Sequence, residues 1–208
     1  MRLCSNRPEG FGPMSHLHPH HLTSCFSDVI LVPLATWIFL VLFVIALFTD
    51  RAKYKSLQHT SSTPSNPPPP STRPARIYTA LYSFLIFAAI AMTALEIARL
   101  LAANLAIGLL PFTFIGIIFA TAIHFSQGVH GRIPFWPILN IAYWLLIIIF
   151  LAVKISEELE QGTHARENSM YKESDQIIDV GTMIGVYAVL AILDALRIFY
   201  PQHLRTEY

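Results

Sequence analysis

Two long apolar runs constrain this chain more than anything else in it. Val29 to Phe48 is 20 residues without a charged side chain, and Ile133 to Val153 is 21. A helix of about 20 apolar residues, rising 1.5 Å per residue, spans the ~30 Å hydrocarbon layer of a bilayer. One such run suits a buried core helix of a soluble domain; several in 208 residues do not. Only 13% of the residues are charged, about half the usual share in soluble domains. The sequence therefore predicts an all-α, polytopic membrane protein, a five-transmembrane-helix bundle. Its spans are about 29–49, 77–101, 107–125, 133–153 and 177–199, within a membrane domain of 29–200. The first run is too long for a signal peptide and follows 28 mixed residues.

Charge in the connecting segments predicts orientation. Residues 50–76 carry Arg51, Lys53, Lys55, Arg73 and Arg76 against Asp50. Residues 156–176 carry Glu157, Glu158, Glu160, Glu167, Glu173 and Asp175 against Arg166 and Lys172. Lys and Arg accumulate on the cytoplasmic side. The 50–76 loop is thus expected inside and the acidic loop outside. The 1–28 segment becomes extracytoplasmic and the 201–208 tail cytoplasmic; Arg2 and Arg7 run against this bias. The membrane is the plasma membrane or an endomembrane such as the vacuole.

Within the 50–76 loop, "HTSSTPSNPPPPSTRP" holds six prolines, which have no N–H to donate, and no large apolar residue. It reads as a flexible linker, with an SH3-type ligand as the other reading. "HLHPHH" (His16 to His21) is a polar tail or an adventitious metal binder. Cys4 and Cys25 both precede the first span. They are a disulfide candidate on an oxidising side, or two unrelated thiols.

"LLPFTFIGIIFATAIHFSQGVHGRIPFWPILNIAYWLLIIIF" reads as a tight helical hairpin. Pro111 opens the third span, and Pro134 and Pro137 open the fourth, at first-turn positions that need no N–H. "SQGVHGR" is the turn, and Trp136 sits at the interface beside it.

Ionisable residues within spans are functional candidates by default. Glu96 and Arg99 lie three apart on one face of the second span, and Asp194 and Arg197 repeat that spacing in the fifth. Each i,i+3 pair is expected to satisfy itself locally. His124 and Asn140 complete the intramembrane polar set; no facing histidine suggests haem. Gly181, Gly185 and Ala188 form a small-residue packing stripe on the fifth span, and Ala88, Ala91, Ala94 and Ala98 another on the second. Either could hold the bundle together or hold a partner. No HExxH, GxSxG, P-loop or cysteine cluster occurs. No catalytic residue, cofactor or metal site is expected, and no nucleic-acid partner.

"SCFSDVILVPLATWIFLVLFVIALF" (24–48), "YTALYSFLIFAAIAMTALEIARLL" (78–101), "LPFTFIGIIFATAIHFSQGVHGRIPFWPILNIAYWLL" (110–146) and "VYAVLAILDALRIFY" (186–200) are spread over residues 24–200, about four-fifths of the chain. They resemble the N-terminal five-span accessory domain of multidrug-resistance/sulfonylurea-receptor type ABC transporters, here without a transporter core. The resemblance implies a non-catalytic interaction module for assembly, trafficking or regulation of a partner membrane protein. Its partners would be membrane lipids and a polytopic membrane protein, or further copies in a homo-oligomer. The alternative is a small secondary transporter or oligomeric channel subunit using Glu96 or Asp194 as a coupling carboxylate.

Overall fold

A computed structural model of the protein describes residues 22–58, 73–102, 107–126, 135–161 and 173–199. These residues are helical almost throughout. A three-residue turn, α1 (Ser24–Phe26), runs through a π-helical segment (Ser27–Leu31) into α2 (Val32–Gln58). Then come α3 (Arg73–Ala102), α4 (Phe112–Ser126), α5 (Phe135–Gln161) and α6 (Glu173–Phe199). The proline-rich 59–72 stretch, the histidine-rich segment, the "QGVHGR" turn with Pro134, and Cys4 lie outside the described residues.

Each long helix buries one stripe. On α3 the stripe is Tyr78, Tyr82, Ile86, Ala89, Thr93, Glu96 and Leu100, spaced by threes and fours as one helical face requires. On α5 it is Leu139, Asn140, Tyr143, Trp144, Ile147, Leu151, Lys154 and Glu157. On α6 it is Val180, Met183, Tyr187, Leu190 and Asp194. The stripes are apolar or aromatic in the middle and ionisable towards the ends. The helices neighbour one another in the cyclic order α2, α5, α6, α3, α4 and back to α2, and α4 also meets α5. Outward faces carry large apolar side chains such as Phe48, Phe84, Phe87, Ile118 and Phe199, which suit lipid and not water.

Among the described residues, four helices are long and apolar enough to cross a membrane: Ser27–Thr49, Arg76–Ala102, Phe135–Glu157 and Ile177–Phe199. The third expected span is shorter than the sequence suggests. The 107–125 run becomes a turn followed by the 15-residue α4, which is about 22 Å long. The cause is local. Gly108 adopts φ +53°, a left-handed conformation that breaks a helix. The N–H groups of Leu110, Phe112, Thr113 and Phe114 then bond carbonyls three residues back, at 2.9–3.2 Å. The other helices extend past their expected ends. α2 reaches Gln58 and α5 reaches Gln161, so the acidic 156–176 stretch is partly helical at both ends.

The start of the bundle follows from one proline. Thr23 caps α1, its Oγ1 accepting the Phe26 N–H at 3.1 Å. Pro33 has no N–H for the carbonyl four residues back, Val29 O. The helix widens to π-type just before it, and the Leu109 N–H bonds the Val29 carbonyl at 3.4 Å. A Cβ at Gly108 would run into the Val29 side chain. The turn before α4 is thereby docked on the first helical segment.

Candidate functional site

The polar residues gather in two centres at opposite ends of the bundle. The first is built around Lys154, near the end of α5. Its Nζ lies 2.8 Å from Asp28 Oδ1 of the π segment and 2.7 Å from Glu96 Oε1 of α3. One turn further along α5, Glu157 accepts a hydrogen bond from the Ser27 hydroxyl. One turn beyond Glu96, Arg99 pairs with Asp179 at the start of α6. Asp28, Glu96, Lys154 and Glu157 are buried. Ionised groups in such a place are retained only when paired and hydrogen-bonded.

The second centre surrounds Asp194. Its Oδ1 is 2.7 Å from His124 Nδ1 at the end of α4. Its Oδ2 accepts the Trp144 indole N–H at 2.9 Å and the Tyr82 hydroxyl at 3.3 Å. The Tyr82 and His124 rings stack with centroids 3.5 Å apart. Arg197 donates to the His124 backbone carbonyl, and Tyr78 donates to the Leu193 carbonyl at 3.1 Å. Helices α3, α4, α5 and α6 all contribute, so Asp194 works as a four-helix clasp.

Between the two centres the helices approach closely. Gly116 of α4 lies where an added Cβ would collide with Tyr143 of α5 and come within 2.8 Å of Thr36 Oγ1 of α2. Tyr143 and Thr36 hydroxyls share a 3.3 Å hydrogen bond. Asn140 donates to the Ala120 carbonyl at 2.9 Å, tying α5 to α4, while its buried Oδ1 has no hydrogen-bond partner among the described residues.

This geometry gives the ionisable residues singled out in the sequence partners on other helices. Glu96 and Arg99 each engage an acid or base on another helix, Lys154 and Asp179. Asp194 and Arg197 both turn towards His124. An i,i+3 spacing leaves two side chains adjacent, but facing helices offer them partners that also close the bundle. Gly181 and Gly185 are exposed with nothing within 4 Å of an added Cβ, and Ala91, Ala94 and Ala98 are exposed too. Ala88 and Ala188 are half-buried; the buried faces of α3 and α6 are the tyrosine-bearing ones. Cys25 is buried and disulfide-bonded.

Lys154, Asp28, Glu157, Tyr82, Trp144 and Gly116 were not singled out by the sequence. Lys154 had a signal: it continues the Ile147, Leu151 face of α5 by one turn. The aromatic residues had none, because a Tyr or Trp in an apolar run is equally suited to plain packing. Among the described residues no group of three or more His, Cys, Asp or Glu could hold a metal ion. In comparison with known proteins, the family model of the ABC transporter TMD0 domain matches residues 1–178. No curated protein and no solved structure matches the chain.

Proposed function

Because the chain belongs to the ABC transporter TMD0 domain family, we propose that it acts by binding a second polytopic membrane protein, such as a transporter core, and supporting its assembly, trafficking or regulation. The chain is an integral, multi-pass membrane protein and a non-catalytic accessory domain. The observation that carries the reading is the extent of the family match, residues 1–178 of 208. The architecture is in keeping with it. The ionisable side chains of the two centres engage one another, and the outward faces are apolar.

On this reading α4 is the fifth crossing. Support comes from chain direction. Glu96 and Lys154 meet near the ends of α3 and α5, so those helices run the same way. The turn before α4 docks at Val29, close to Asp28, while α4 ends at His124 against Asp194. The segment 107–126 therefore runs from one polar centre to the other. The basic 50–76 segment favours an extracytoplasmic N-terminus and a cytoplasmic C-terminus.

Purification in mild detergent tests the proposal. A stoichiometric polytopic partner is expected. A closed homo-oligomer that conducts ions in liposomes overturns it in favour of a channel subunit.

A further inference from the structure

Away from the charged end around Lys154, the Asp194 centre contains a side chain of the one type that ordinarily changes charge near neutral pH. His124 stands near the end of α4 and is 3% exposed. It links α4 to α6 twice: its Nδ1 meets Asp194 Oδ1 at 2.7 Å, and its carbonyl accepts from Arg197. Its ring lies on the Tyr82 ring, centroids 3.5 Å apart, with the Phe125 ring nearly perpendicular to it.

The neutral ring completes this arrangement. Asp194 Oδ2 is taken by the Trp144 and Tyr82 donors. Oδ1 faces His124, so an ionised Asp194 requires the ring proton on Nδ1. A neutral imidazole then has no proton on Nε2, and Nε2 makes no hydrogen bond among the described residues. The titratable and charged groups facing the ring are Asp194 and Arg197 of α6 and Tyr78 and Tyr82 of α3. From α5 comes the Trp144 indole, which does not titrate. A second ring proton brings an N–H without an acceptor and a charge into a buried place. Asp194 attracts that charge but gains no further hydrogen bond, while burial and the guanidinium at the His124 carbonyl oppose it. An unfolded chain takes the same proton in water at no such cost, so falling pH favours release.

We propose that His124 is a proton-sensitive catch on α4, and that protonating its imidazole loosens the end of α4 from the Asp194 clasp. The inference depends neither on the orientation of the chain nor on a partner protein.

Two measurements on the full chain in detergent test it. The chain has nine histidines, so the first compares the unmodified protein with His124→Asn, which keeps an amide N–H for Asp194 and cannot titrate. Between about pH 7.5 and 5.5, across the ordinary imidazole range, the unmodified protein is expected to lose roughly 2–4 °C more in Tm than the variant. Equal losses overturn the proposal, and so does a smaller loss in the unmodified protein, the result expected if the imidazolium form grips Asp194 more tightly. The second measurement needs no variant to fold. Hydrogen exchange at the Ile123, His124 and Phe125 amides is read relative to Leu190 in α6 at both pH values, which cancels the intrinsic effect of pH on exchange. The ratio is expected to rise several-fold at the lower pH; an unchanged or falling ratio overturns the proposal.

Discussion

Lys154 shows how much can depend on one side chain in a helical membrane bundle. It holds carboxylates from two other helical segments. Lys154→Met removes the ammonium and leaves Asp28 and Glu96 without its charge. Breaking a buried pair this way costs about 3–5 kcal/mol, so folded yield and detergent Tm should fall sharply. Adding Glu96→Gln should cost less than the two single losses together, because contacting residues are non-additive. Strict additivity would mean that the pair contributes nothing. Gly116 makes the steric counterpart. Gly116→Ala places a methyl against Tyr143 and Thr36, and overpacking of this kind costs about 1–3 kcal/mol. Tyr143→Phe should partly rescue it by removing the hydroxyl nearest the new Cβ. A Gly116→Ala protein as stable as the parent would rule the close approach out. Neither residue stands out in the sequence, since a glycine in an apolar run is common and a lysine just past one resembles an ordinary flank.

At the scale of elements, apolar run length located the helices well but their ends poorly. Hydropathy stops at the first charge; a helix does not. α5 continues through Lys154 and Glu157 because both find partners inside the bundle. The 107–125 run erred the other way, since Gly108 and the turn around it take residues out of the helix. Partner choice was the least legible feature. Local spacing is visible in a sequence, whereas which face meets which depends on all helices at once. The Val29–Gly108 contact gives this scale its prediction. Gly108→Val adds a branched side chain at positive φ, where the left-handed conformation costs ~1–2 kcal/mol, and drives it into Val29. Hydrogen exchange at Leu109, whose N–H bonds Val29 O, should speed up relative to the core of α6. Unchanged protection would show that the turn does not need this docking.

The whole molecule is a closed ring of helices pinned at both ends by buried polar groups. Its orientation can be read by placing epitope tags within residues 59–72 and 162–172. In sealed right-side-out vesicles the second tag should be accessible and the first protected. The reverse pattern would invert the topology and put the charged end on the cytoplasmic side. The short α4 has a consequence for the surrounding lipid. It shows Ile115, Ile118 and Phe119 on its outward side, yet its 15 residues reach only about 22 Å, beside helices of 27 and 30 residues. On the five-crossing reading, acyl chains along that flank meet a hydrophobic mismatch of several ångströms. They must shorten or tilt there, at fractions of a kcal/mol per ångström. The protein would then carry a patch of thinned bilayer along one side, and short-chain lipids would collect beside α4.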